Sequence, residues 1–101
     1  MHQPTEIPTL AGTLEDMSAR GFTVQFTVSA GRLCPPGGMA CFSPDQVEIA
    51  EEHRFEGVSS PADMAIVYGL ETHSGLRGTL VDAFGVYADP AVGEFMRAVV
   101  R

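Results

Sequence analysis

The stretch Met64-Ala65-Ile66-Val67-Tyr68-Gly69-Leu70-Glu71-Thr72-His73-Ser74-Gly75-Leu76-Arg77-Gly78-Thr79-Leu80-Val81-Asp82-Ala83-Phe84-Gly85-Val86-Tyr87-Ala88-Asp89 decides the fold. Two apolar runs flank a Ser74-Gly75 turn signal, which is the pattern of a β-hairpin. Both runs are apolar at consecutive positions, so both faces of the hairpin need cover, and the hairpin belongs at the centre of a sheet. A three-residue loop, His73-Ser74-Gly75, sets Glu71 opposite Arg77 and Val67 opposite Val81. A two-residue loop shifts every pair by one. The first register is preferred because it places opposite charges across the strands. It puts Ile66, Tyr68, Leu70 and Leu80 on one face, and Ala65, Val67, Val81 and Ala83 on the other.

Upstream, Phe22-Thr23-Val24-Gln25-Phe26-Thr27-Val28-Ser29 alternates strictly and reads as one strand with an apolar and a polar face. Val47, Ile49, Glu51, His53 and Phe55 also keep period two, which favours a strand over the helix that the Glu and Ala content would allow. Between these two, Cys34-Pro35-Pro36-Gly37-Gly38-Met39-Ala40-Cys41 reads as a turn or loop, with a short strand at 39–42 pairing back on 22–28. Residues 57–63 read as a loop.

Each end carries a helix signal. Thr9 is a cap, Leu10, Leu14 and Met17 form a stripe, and Gly21 is a left-handed stop, giving a helix over 10–20. Asp89-Pro90 starts a second helix over 90–100, with Val92, Phe95, Met96 and Val99 as its buried stripe. The whole, 1–101, reads as a single α+β domain. Its expected architecture is an antiparallel sheet of about five strands with an N-terminal and a C-terminal helix.

The 101 residues carry a formal charge of −7 and no lysine, and the six arginines are scattered. The chain is acidic and lacks the basic stripe that a phosphate backbone requires, so neither nucleic acid nor an anionic membrane is an expected partner. No run approaches the roughly 20 apolar residues of a membrane span, and the start has no signal-peptide pattern. A cytoplasmic protein is expected. In that reducing setting a disulfide between Cys34 and Cys41 is not. Their spacing is too wide for a zinc knuckle, and no metal or other cofactor is expected.

The segments Arg54-Phe55-Glu56-Gly57, Ser60-Pro61-Ala62-Asp63, Ala65-Ile66-Val67-Tyr68 and Gly78-Thr79-Leu80-Val81-Asp82-Ala83-Phe84-Gly85-Val86-Tyr87-Ala88-Asp89 resemble a family of small bacterial proteins of about this length. The likeness includes the Arg20-Gly21-Phe22-Thr23 helix end and covers most of the chain. Members often carry the label phosphoribosylpyrophosphate synthetase, and the resemblance supplies no catalytic residues. True synthetases are about three times longer and bind ribose phosphate through paired acids followed by a small-residue turn into a helix. The nearest counterpart here, Leu80-Val81-Asp82-Ala83-Phe84-Gly85, has one acid and an aromatic where a small residue belongs. That activity is not expected.

Asp82 interrupts an apolar run and needs a partner if buried, with Arg54, Tyr68 or Tyr87 as candidates. A small-ligand site, if present, is expected around His53, Arg54, Asp82 and Tyr87. The favoured reading is a non-enzymatic, self-associating binding or regulatory domain. The alternative is a small enzyme or ligand-binding protein with a pocket at Asp82, Arg54 and His53. A homodimer is expected on coverage. Two short helices can cover one face of the sheet, so a second copy, or the loop from Leu33 to Phe42, must cover the other.

Overall fold

The computed structural model describes residues 9–38, 40–55, 65–83 and 89–99. It is α+β, with helices α1 (Leu10–Ala19) and α2 (Pro90–Ala98) and strands β1 (Val24–Gln25), β2 (Thr27–Ser29), β3 (Arg32–Cys34), β4 (Val47–Phe55), β5 (Ala65–Thr72) and β6 (Arg77–Ala83). A four-stranded sheet has the order β1-β6-β5-β4, and β2 and β3 form a separate ribbon. The expected loop at 57–63 and Tyr87 lie outside the described residues.

The β5–β6 hairpin has the register that pairs charges. Val67 stands opposite Val81 and Glu71 opposite Arg77. Gly75 takes the left-handed conformation (φ 98°) that the short loop requires. The buried Thr72 closes the loop, its Oγ1 accepting from the Leu76 backbone N–H at 3.0 Å.

The sheet is mixed rather than antiparallel. β1 runs parallel to β6, with Val24 beside Gly78 and Gln25 beside Thr79. The approach is so close that a Cβ on Gly78 would lie 2.1 Å from the Val24 carbonyl oxygen. Only glycine admits β1 there. The alternating run at 22–29 is therefore not one strand. The Phe26 N–H donates to the Thr79 carbonyl at 2.9 Å, and the chain then leaves the sheet as β2. The ribbon turns at Ala30-Gly31, both with positive φ (52° and 76°), the requirement of a two-residue hairpin. Phe42 meets Leu33 in a single antiparallel bridge, not the 22–28 segment.

A second departure lies in β4. Ile49 pairs with Leu70 while Glu51 pairs with Gly69, so a bulge falls between them. Neighbouring residues of β5 face opposite sides of the sheet, so the bulge moves Glu51, His53 and Phe55 to the side opposite Val47 and Ile49. Period-two reading across the bulge placed all five on one face. An inserted residue leaves no mark in the hydrophobic pattern.

Each face has its own helix. On one side Val92, Phe95, Met96 and Val99, from α2 and its C-cap, pack with Leu70, Leu80, Phe26, Leu33 and Val47. On the other, Met17 of α1 packs with Phe22 and Val67, flanked by Leu10, Leu14 and Phe55. The expectation that both helices share one face does not hold, and the coverage argument for a dimer loses its premise. The chain connectivity is the reason. α1 enters the sheet through the edge strand β1 and reaches the far side from α2. Gly69 lets α1 sit close, since a Cβ there would be 2.8 Å from Met17 Cε.

Both helix starts are capped as their sequences require. Thr9 Oγ1 accepts from the Gly12 N–H at 2.9 Å, and Asp89 Oδ1 from the Ala91 N–H at 2.9 Å. α1 stops at Gly21, whose φ is 109°. Among the described residues no helix is long and apolar enough to cross a membrane.

Candidate functional site

The register distributes the candidate side chains over both faces. Arg54, Ile66 and Asp82 form one row across β4, β5 and β6 and share the α2 face. Two strand spacings separate Arg54 from Asp82, about 10 Å at the backbone. His53, Val67 and Val81 form the neighbouring row, on the α1 face. The sheet thus stands between His53 and the Arg54–Asp82 row.

Each of these groups has a local partner. Asp82 Oδ1 accepts from the Asp89 N–H at 3.1 Å, tying the end of β6 to the start of α2. Burial pushes the Asp82 carboxyl above its usual value, against the pull of backbone N–H donors from Asp89 and Ala83. Arg54 lies beside Glu52 at 3.7 Å, two positions back along the same strand. His53 Nε2 meets Glu51 Oε1 at 2.8 Å.

Glu51 is the centre of a charge cluster. Arg20, the C-cap of α1, donates from both terminal nitrogens to the Glu51 carboxylate and from Nε to Asp16 at 2.9 Å. The Arg20 bonds, then the His53 bond, hold Glu51 down from its usual 4.5 to about 2. The bond to Glu51, then the bond to Asp16, push Arg20 upward. The cluster clamps the end of α1 to β4 across the sheet surface. Arg77 supports the same helix end. Its guanidinium lies 4.2 Å from the Phe22 ring centroid, and its Nε is 3.4 Å from Glu71 Oε2, an ion-pair distance without hydrogen-bond geometry.

Cys34 and Cys41 form a disulfide, with Cα atoms 4.3 Å apart. This corrects the expectation of two thiols around a loop. The Leu33–Phe42 bridge is the cause. It sets the next pair of residues, 34 and 41, face to face at disulfide distance. The sequence signal was the tight Pro35-Pro36-Gly37-Gly38 turn between them, which returns the chain on itself. Among the described residues, no group of three or more His, Cys, Asp and Glu is placed to hold a metal ion.

Two concavities lie elsewhere. A cleft of about 520 Å³ opens on the α1 side, between Leu14, Phe22, Thr23, Gln25, Pro36, Thr79 and Val81. All ten residues lining it are uncharged, on a chain of net charge −7. A second cavity, about 330 Å³, continues past Pro36 along Thr23, Val24, Gln25, Pro35 and Leu76. The two share Thr23, Gln25 and Pro36.

The cleft borders an open strand edge. The Thr79 carbonyl points towards β1, where it accepts from Phe26. Strand alternation then points the backbone groups of Val81 and Ala83 the same way. β1 pairs only as far as Thr79, so among the described residues the outer edge of β6 beyond it has no strand partner. Val81 is the one large hydrophobic side chain described as exposed, at 42%. The opposite edge of the sheet, β4, is built to resist pairing, with a bulge and the charges Glu48, Glu51, Glu52 and Arg54. Comparison with protein-family models, with curated proteins and with solved structures returned no match.

Proposed function

We propose that this chain is a non-enzymatic binding domain that associates with a second copy of itself through the outer edge of β6. The observation that carries the reading is the coincidence at Val81 of an open strand edge, an exposed apolar side chain and an uncharged cleft. An unpaired edge recruits another strand by completing its backbone hydrogen bonds. Two acidic copies repel over most of their surfaces, and an uncharged patch is where that repulsion is least. An antiparallel meeting of β6 edges about a two-fold axis sets Val81 of each copy against that of the other. The charged β4 edge supports the choice, because edge pairing there brings acidic side chains together.

The resemblance to small bacterial proteins labelled phosphoribosylpyrophosphate synthetase supplies no catalytic residues to set against this reading. The segment nearest to a ribose-phosphate loop begins Leu80-Val81-Asp82-Ala83, and these residues are strand, not a turn into a helix. Asp82 serves the start of α2.

Light scattering over a concentration series tests the proposal. The wild-type mass should rise from that of one chain, 10.8 kDa, to twice that value. Val81→Lys should hold the mass at one chain without lowering the thermal midpoint. A wild-type mass that stays at one chain at every concentration overturns the reading.

A further inference from the structure

We propose that self-association through the outer edge of β6 is proton-linked, with Asp82 as the residue that takes up the proton; this rests on the reading that this edge is the associating surface. The open stretch is short. Val81 and Ala83 turn their backbone groups outward, and Asp82 lies between them on the α2 face, in the row of Ile66 and Arg54. A two-fold axis that pairs two antiparallel β6 edges stands perpendicular to the sheet, so both copies keep their α2 faces on the same side. With Val81 opposite Val81, Asp82 of one copy stands opposite Leu80 of the other, and the two Asp82 residues are diagonal neighbours, roughly 7–8 Å apart. An axis at Asp82 sets them directly opposite, about 4.5 Å apart at the backbone. An axis at Ala83 returns them to the diagonal. Every antiparallel pairing centred on this stretch therefore brings the two carboxyl groups together.

Among the described residues no cation pairs with Asp82. Arg54, in its row, stands two strands away on β4, beside Glu52 at 3.7 Å. Tyr68 of β5 faces the same side, diagonal to Asp82. At the start of α2, Asp89 gives its backbone N–H to Asp82 at 3.1 Å, while its carboxylate brings a second negative charge. Glu94 and Arg97, further along α2, are exposed, and Asp82 itself is half-buried. That burial already pushes its carboxyl upward, the N–H groups of Asp89 and Ala83 pull it down, and the Asp89 charge adds to the rise.

A second copy deepens the burial and adds a like charge, and both favour the neutral form. The pair thus binds protons more tightly than two single chains do. By linkage the association gains as pH falls. The gain is complete below the Asp82 value of the single chain and is lost as pH rises through that of the pair. One proton held between the two carboxyl groups replaces their repulsion by a charge-assisted hydrogen bond. The overall charge of −7 also repels, but it shrinks on acidification whatever residue stands at 82, so replacing Asp82 separates the two effects.

Sedimentation equilibrium at constant ionic strength, at about pH 7.5 and about pH 5.5, tests the link on wild type, Asp82→Asn and Glu48→Gln. The wild-type dissociation constant should fall roughly threefold or more on acidification, the effect of removing one carboxylate repulsion at this distance. Asp82→Asn should pair at about pH 7.5 as tightly as acidified wild type and lose most of the pH dependence. Glu48→Gln, on the far edge of the sheet, should follow wild type. The carboxyl carbon resonance of Asp82 gives a readout that needs no variant: its titration midpoint should rise as protein concentration rises. A wild-type constant that does not change, an Asp82→Asn pH dependence equal to that of wild type, or a midpoint independent of concentration while wild type pairs would each overturn the proton link and leave the edge in place. Single chains at both pH values, or pairing that survives Val81→Lys, would overturn the edge as the associating surface and the link with it.

Discussion

Gly78 and Gly69 both carry close approaches, and the identity of the neighbour separates their costs. A Cβ on Gly78 meets the Val24 carbonyl at 2.1 Å, a backbone atom that moves only if β1 moves. Gly78→Ala should cost at least about 2 kcal/mol by detaching the edge strand. At Gly69 the clash at 2.8 Å is with the free end of Met17, which can turn aside. Gly69→Ala should cost under about 2 kcal/mol, and urea midpoints of the two variants check the order. At Asp82 the described hydrogen-bond partner is the Asp89 N–H, and Arg54, a candidate partner, stands two strands away. Asp82→Ala should cost about 1 kcal/mol. Asp82→Asn keeps an acceptor oxygen and removes the charge that burial disfavours, so it should match or exceed the wild type at neutral pH. Because burial raises the folded value, the Asp82 contribution is complete below the unfolded value and is lost as pH rises through the folded one. Glu51 has the opposite sign. Its folded value is about 2 against 4.5 unfolded, so its contribution is complete above about 4.5 and is lost as pH falls towards 2. The stability gap between wild type and Glu51→Gln should close over that interval and shrink in high salt, because the Arg20 partner is solvent-exposed.

At the scale of elements, the disulfide and the caps act on short segments. Closing an eight-residue ring restricts the unfolded chain by about 2–3 kcal/mol in the chain-entropy account. Cys34→Ser/Cys41→Ser should lose about that much in a denaturant titration, with native near-ultraviolet signals retained because the Leu33–Phe42 bridge remains. α2 begins at Asp89, whose carboxylate accepts from Ala91. Asp89→Ala should cost about 1 kcal/mol, and it should loosen the α2 end of the core before the Met17–Phe22–Val67 cluster. The β4 bulge is an element-scale device too. It lets one strand give Val47 and Ile49 to the α2 face and Phe55 to the α1 face.

At the scale of the whole molecule, the arrangement of one helix per face leaves the sheet edges as the open surfaces among the described residues. The two edges differ in kind, one charged and bulged, the other apolar beside a cleft. Self-association should therefore answer to changes on β6 and not on β4. Val81→Lys should abolish it, while Glu48→Gln should leave it in place, as light scattering of the two variants can show. The purified protein should not form phosphoribosylpyrophosphate from ribose 5-phosphate and ATP. Robust pyrophosphoryl transfer that is lost in Asp82→Asn would defeat that expectation.

The sequence by itself determined the local structure. Capping residues, the Gly21 stop and the apolar stripes located both helices, because those signals act within a turn or two of chain. The charge pair Glu71–Arg77 favoured the β5–β6 register without deciding it, since a two-residue loop stayed open, and the structure has the favoured one. Only the tertiary structure decided how these pieces meet. The division of residues 22–29 between two sheets depends on Thr79 accepting from Phe26, some fifty residues away in the chain. The disulfide depends on the Leu33–Phe42 bridge, and which helix's face His53, Arg54 and Asp82 each take depends on a bulge and the pairing of three strands. The cleft beside Val81 depends on which face α1 takes. Apart from the local bridge and disulfide, these are contacts between residues far apart in sequence, and a periodicity read along one segment carries no information about the segment it will meet.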